Sequence, residues 1–338
     1  MVINEDKTEF MAFVTKNLDD KIPIVLNLHH GIVKVTHCSM YKYLGSIITS
    51  DGRVASTMSK HCIAKTKDIN KLVIFMETNK NAPFFVKKTV VDACFNAALL
   101  YGCEGWLGAK PSPTLNSMYM KAIKMLLGVR QSTPNDTCLI EAGYPSLEAA
   151  VRHRQQNFFQ QMMHERKDLN DDPLMFALDL TERENVHMHR YLTGVLEEGD
   201  IVDNDIRRRK DKIMSSQCTR ATTYREINAE LTVHSIYSSN SNNIVDDDLR
   251  ISFTRLRLSS HRLKIETGRW ARIPPALRLC PCGSVQTEKH VLCECLLVNN
   301  IRQSYSNDTI DFNDFLSSPK SKQQLTMVKK IIDFYEDL

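Results

Sequence analysis

The spacing of apolar side chains changes period along this chain. Up to about residue 54 they come in short β-branched or aromatic runs, Lys7–Val14, Ile22–Leu28, Ile32–Thr36 and Tyr41–Thr49, which predict strands. His29-His30-Gly31 predicts a hairpin turn, and Ser50-Asp51-Gly52 ends the last strand. From about residue 55 the period is helical. Val86, Val90, Val91, Cys94, Phe95 and Ala98 fall on one stripe, with Pro83 near its start. Ser112-Pro113 predicts a capped helix carrying Leu115, Met118, Tyr119, Ala122, Ile123 and Leu126, closed by Gly128. Thr133-Pro134 opens a short helix that Gly143 closes, and Ser146 caps a longer one bearing Leu147, Val151, Phe158 and Met162.

Beyond Glu165 the pattern weakens into charged helical faces, and Ser238–Asn243 reads as a loop at a boundary. A terminal helix over Gln323–Leu338 gathers Met327, Val328, Ile331, Ile332 and Tyr335 on one side. No internal repeat is visible. The expected fold class is α+β, mainly α. Its parts are a small β-rich segment (1–54), a helical bundle (55–165), a helical linker region (166–245) and a C-terminal domain (246–338).

Composition narrows this only slightly. The 338 residues are 42% apolar and 25% charged, ordinary for a folded protein of two or three domains. The charged start Met1–Lys7 does not read as a secretory leader, and no apolar run approaches the ~20 residues of a membrane span. An intracellular location, nuclear or cytoplasmic, is therefore expected. There the ten cysteines would be thiols or metal ligands rather than disulfides. Cys38, Cys62, Cys94, Cys103, Cys138 and Cys218 are scattered and read as small buried hydrophobes.

The other four cluster. Cys280-Pro281-Cys282 is followed by His290, Cys293 and Cys295. Structural Zn²⁺ takes four N/S ligands in a tetrahedron, and a turn bearing two cysteines plus a following helix can supply them. Gly283 permits the tight turn, and Thr287 suits the N-cap of the helix holding His290. The spacing leaves the fourth ligand open. His290 and Cys293 share a helix face, whereas Cys295, five residues on, requires the helix to end or tighten between them.

Formal net charge is only +4, from 44 Lys+Arg against 40 Asp+Glu, so distribution matters more than total. Arg250–Arg278 holds Arg250, Arg255, Arg257, Arg262, Lys264, Arg269, Arg272 and Arg278, with Glu266 its one acid. Leu256, Leu258, Leu263 and Trp270 are interleaved. Such a stretch fits a surface laid on phosphates, with Arg255, Arg257, Arg262, Lys264, Arg269 and Arg272 as contacts. Trp270 itself reads as a core residue. Arg207–Lys210 reads as a solvated helix face, and Asp246-Asp247-Asp248 as a solvated turn or helix N-cap.

Together these residues resemble a family. Leu256-Arg257-Leu258, Thr267-Gly268-Arg269-Trp270, Arg278–Gly283, Thr287–Leu292 and Cys295 are similar to the C-terminal zinc-knuckle segment of non-LTR retrotransposon reverse transcriptases. The His-x4-Cys spacing of that family favours Cys295, so the resemblance implies Cys280, Cys282, His290 and Cys295 as ligands. Asn4–Thr8 resembles the last palm motif. Tyr43-Leu44-Gly45 with Ser50-Asp51-Gly52 resembles the primer-grip hairpin. Leu99–Trp106, Leu126–Val129 and Glu141-Ala142-Gly143 resemble the thumb and the stretch directly after it.

The resemblance implies a palm remnant, a helical thumb and a knuckle domain that bind RNA or DNA around a structural Zn²⁺. The family's metal-binding aspartates lie N-terminal to the motif at Asn4. The expectation is thus a chain with no catalytic residues, Lys7 notwithstanding, and with Mg²⁺ needed only by a complete polymerase site. Two rivals stand beside nucleic-acid binding. One is RNA-directed DNA polymerase activity as part of a longer chain; the other is a knuckle that binds protein partners of unspecified identity. No membrane association is expected.

Overall fold

A computed structural model of the chain describes residues 8–13, 24–28, 31–165, 183, 186–217, 221–237, 246–305, 310–318 and 320–337. Asn4–Lys7, the His29-His30 turn, the first part of the linker region, Cys218 and the Ser238–Asn243 loop lie outside these residues. The described chain is mainly helical with a few short strands.

The strands are β1 (Glu9–Phe10), β2 (Ile24–Leu28), β3 (Gly31–His37), β4 (Met40–Tyr43) and β5 (Ser46–Thr49). β3 lies between β1, parallel to it, and β2, antiparallel to it. Tyr41–Thr49, expected as one strand, is instead most of the β4–β5 hairpin. Leu44 and Gly45 both have positive φ, 47° and 95°, the signature of the type I′ turn that matches strand twist. Gly45 marks this turn, but a single glycine beside the apolar Leu44 was carried within one strand period. Tyr101 packs on Gly45, where an added Cβ would lie 3.0 Å from its ring, and its hydroxyl donates to the Leu44 carbonyl. Tyr43 and Leu44 stay exposed.

The α-helices of five residues or more among the described residues are α1 (Val54–Thr78), α2 (Phe84–Val90), α3 (Pro113–Leu127), α4 (Asn135–Ala142), α5 (Leu147–Glu165), α6 (Val186–Glu197), α7 (Ile201–Ser215), α8 (Thr222–Ile227), α9 (Asp247–Arg257), α10 (Lys264–Trp270), α11 (Asn299–Gln303), α12 (Phe312–Ser317) and α13 (Lys322–Glu336). The expected caps form. Ser112 and Ser146 accept the N–H groups of Leu115 and Ala149 at 3.2 Å each, and Gly128 and Gly143 take left-handed φ near 70°. A π-helical turn, Val91–Asn96, extends α2. It shifts the helical register, so Val91 and Phe95 stay buried while Cys94, placed on the same stripe by a regular period, faces solvent.

Two compact units arise, each from three segments: Met1–Asp68, Ala97–Asn116 and Ala150–Gly199 form unit 1; Ile69–Asn96, Ser117–Ala149 and Asp200–Leu338 form unit 2. This departs from the sequential division expected at 54, 165 and 245. Three of the unit boundaries fall inside α1, α3 and α5, where an unbroken helical period carries no mark of them.

In unit 2, α13 supplies Leu325, Met327, Val328, Ile331, Ile332 and Tyr335 to a core shared with Leu249, Phe253 and Leu256 of α9. Ser321 and Gln324 close a capping box at its start. Asp247, read as solvated, is buried between Lys87 (2.5 Å) and Arg250 (2.7 Å). Arg209, read as part of a solvated run, is buried against Asp205, whereas Arg207 and Arg208 are exposed.

Candidate metal centre and basic platform

The four clustered ligand residues converge. An antiparallel bridge pairs Leu279 with Val285, and inside it the Cys280 N–H donates to Ser284 (2.7 Å) and the Gly283 N–H to Cys280 (2.9 Å). Gly283, at φ 95°, makes this tight turn accessible. Thr287 then caps the following helix by accepting the His290 N–H at 3.0 Å. That helix does not tighten: it widens into a π-helical turn over His290–Glu294, with the Cys295 N–H donating five residues back to His290 at 2.8 Å. Cys295 leaves it in an extended conformation.

Widening by one residue per bond brings His290 and Cys295 to the same place. Cys280 Sγ lies 3.7 Å from Cys295 Sγ, and Cys282 Sγ lies 3.2 Å from His290 Nε2. All four donor atoms fall within 4.8 Å of one another, a set able to hold a metal ion. Cys293 is outside it, and burial pushes its thiol up to about 11.

The set is electrostatically asymmetric. The Ser284 N–H, followed by neighbouring thiols and His290, holds the exposed Cys282 thiol down to about 6. Burial pushes Cys280 up. Cys280 and Cys295 belong to the unit 2 core, and Cys280 touches the Tyr335 hydroxyl of α13 at 3.8 Å. An ion held here would therefore tie the knuckle to the hydrophobic interior.

The basic stretch divides into two kinds of residue. Arg257 is only 1% exposed and grips Glu141 with two hydrogen bonds, 2.7 and 3.0 Å, while donating also to the Leu316 carbonyl. It cannot reach a phosphate, which corrects its expected role. Arg250 is also buried, donating to Asp247 and to the Leu126 carbonyl (3.0 Å). Arg255 is half-buried, its Nε capping the C-terminus of α3 at Gly128 (2.7 Å). Arg269 pairs with Glu266 at 2.7 Å. Arg262, Lys264 and Arg272 are exposed and, among the described residues, have no carboxylate partner.

Trp270, expected in the core, is 51% exposed. It ends α10, so the short helix provides no further turn to carry it inward. The Arg130 guanidinium lies over its ring at 4.6 Å from the centroid. Burial, together with the charges of Arg262 and Arg255, pushes the Arg130 pKa down against the pull of Glu336 and Glu266, so positive charges crowd this spot. Sequence reasoning missed Arg130. It lies just past the Gly128 cap and far along the chain from Trp270, and local spacing gives no sign of their meeting.

The knuckle and this platform are stapled together. Arg278 lies across α10 and donates to Ile265 (2.6 Å) and Ile273 (2.9 Å), fixing both sides of the turn after Trp270. Gly268 makes room for it: a Cβ there would come within 2.7 Å of the Arg278 side chain. Gln286, whose N–H donates to Arg278, accepts the Lys264 N–H at 2.6 Å through its side chain. The Gly268, Trp270 and Arg278 motif is thus one structural device. No helix among the described residues is long and apolar enough to cross a membrane. In comparisons with protein-family models, curated proteins and solved structures, the chain matches none.

Proposed function

We propose that unit 2 is a zinc-stabilised nucleic-acid-binding module, the post-catalytic part of a non-LTR retrotransposon reverse transcriptase. The observation that carries this reading is the sorting of its cations: Arg262, Lys264 and Arg272 are exposed and, among the described residues, without carboxylate partners, whereas Arg250 and Arg257 are neutralised in the interior. Free cations gathered on one short segment attract a phosphate backbone. Zn²⁺ suits the donor set. At a Zn–S bond of about 2.3 Å, two tetrahedral sulfur ligands lie ~3.8 Å apart, close to the 3.7 Å between Cys280 and Cys295. Four protein ligands leave no open position for water, so the ion would be structural.

Titration of a labelled RNA with the full chain, followed by fluorescence anisotropy across a salt series, tests the binding. Affinity should fall steeply as salt rises. Replacing Arg262, Lys264 and Arg272 by Ala should flatten log K against log[salt] by up to about 0.7 per lost contact on a single strand. Binding absent at low salt, or a slope unmoved by the triple substitution, would favour the protein-partner reading. Elemental analysis should return about one zinc per chain, lost on His290→Ala. A zinc-free folded preparation would overturn the metal assignment.

A further inference from the structure

Resting on that reading of unit 2, we infer that Trp270 is a stacking platform for one unpaired base, backed by Arg130, with Arg272 placed for an adjacent phosphate. The site would therefore select single strands over duplex. Three independent features support this.

The first is exposure. The chain's other tryptophan, Trp106, is 4% exposed, whereas half of Trp270 lies in solvent, in a segment that Arg278 bonds at Ile265 before it and at Ile273 after it. A base in a duplex already has stacked neighbours; an unpaired base does not, and an open indole offers it a π surface.

The second is the Arg130 contact. A guanidinium over an indole holds the ring in place and adds positive charge beside whatever stacks on it. Arg130 is itself anchored: its N–H donates to Ser260 Oγ at 2.9 Å, and Thr133 donates to the same oxygen at 3.0 Å. The platform is thus held from both partners before any ligand arrives.

The third is backbone strain. Arg272 ends the turn after Trp270 at φ 56°, where glycine is the undemanding residue. An arginine there carries a conformational cost, and its exposed side chain supplies what glycine lacks, a cation two residues from the indole. Beside the turn lies a groove of about 450 Å³ edged by Lys264, Ile273, Leu277 and Leu279, with room for a neighbouring nucleotide.

The test uses the full chain with labelled single-stranded RNA, single-stranded DNA and duplexes of the same sequence, at one fixed salt concentration. Single strands should bind at least tenfold tighter than duplex, and the RNA and DNA arms report which sugar is preferred. Trp270→Ala should weaken single-strand binding roughly tenfold or more while leaving the salt slope unchanged, since stacking releases no counterions. Trp270→Phe should recover most of the affinity, and Arg130→Lys, which keeps charge but not the planar contact, should lose part of it. Zinc content checks that each variant is folded. In a Trp106→Phe background, single strands should quench the remaining indole emission. Duplex and single strand binding equally, or Trp270→Ala without effect, would overturn the stacking inference. If those results came with an intact salt response of the Arg262, Lys264 and Arg272 variants, the nucleic-acid reading itself would stand. Loss of all binding at low salt in the parent chain would remove both.

Discussion

Helices α9 and α10 are neighbours in sequence and alike in charge, yet the arginines of α9 and those flanking α10 are spent in opposite ways. α9 turns Arg250 and Arg257 inward, toward Asp247, Glu141 and backbone carbonyls, and has α13 packed against it. α10 is short, ends in a half-exposed tryptophan, and is flanked by Arg262 and Arg272, both in solvent. A cation's role therefore follows from what covers its helix rather than from local charge density. In α9 the arginines organise a polar interior; around α10 they remain available to a ligand.

The sharpest way to break this contrast is to remove one cation from each side. Arg257→Ala would leave the Glu141 carboxylate buried beside Tyr224 and Tyr237 without its counter-charge. Loss of about 3–5 kcal/mol of stability is expected, measured as a fall in the urea midpoint. Arg262→Ala should change stability by less than about 0.5 kcal/mol. Equal effects would show that the division by burial has no energetic content.

Acid should act on the α9 side through one histidine. His234 lies against Phe253 of α9, their ring centres 5.3 Å apart. Its Nδ1 accepts the Ile236 N–H at 3.1 Å, so Nε2 carries the proton and donates to Ser318 at 3.1 Å. Burial, then the nearby Arg257 charge, pushes it from an ordinary 6.5 down to about 4. The unfolded chain thus takes up this proton first as pH falls. The stabilisation is complete above about 6.5 and is lost on descending to about 4, amounting to up to about 3 kcal/mol. Urea midpoints taken across this window should slope downward in the parent. His234→Gln, which has no proton to gain, should remove that part of the slope; an unchanged slope would place the titration elsewhere.

Much of the site was readable because its residues are chemically conspicuous. Cys280, Cys282 and His290 announce a ligand set by type and spacing, with Cys293 and Cys295 both open as the fourth until the resemblance favoured Cys295, and Thr287 and Gly283 announce the cap and turn around it. The π-helical turn that unites His290 with Cys295 was not readable, because it depends on one inserted residue in the hydrogen-bond ladder. Arg257 did carry a signal: Arg250, Phe253 and Arg257 share one helical face, which marks those arginines as inward. Its partner Glu141 lies in α4, and nothing local connects them. Trp270 falls seven residues after the buried Leu263, the spacing of a shared face, but α10 begins only at Lys264 and is too short for that period to govern it. The β4–β5 turn was passed over by the strand period, because Leu44 is apolar, although Gly45 and the hairpin resemblance both pointed to it.

A smaller effect than either loss isolates the α10 side. Arg272 has a left-handed backbone at φ 56°, a conformation costing an L-residue roughly 1–2 kcal/mol. Arg272→Gly removes that cost but gives the unfolded chain more freedom, worth about 0.4–1 kcal/mol. A net gain of about 0.5–1 kcal/mol in stability is expected, because the exposed guanidinium has no carboxylate partner to lose among the described residues. The same change should weaken single-strand binding and lower the salt slope by about 0.7. Stability and affinity would then move in opposite directions at one residue, as they should where backbone strain is retained for a ligand. Urea midpoints at constant m-value and anisotropy on the same preparation measure the two together. A destabilised variant would mean that the Arg272 side chain supports the fold, placing it with the arginines of α9.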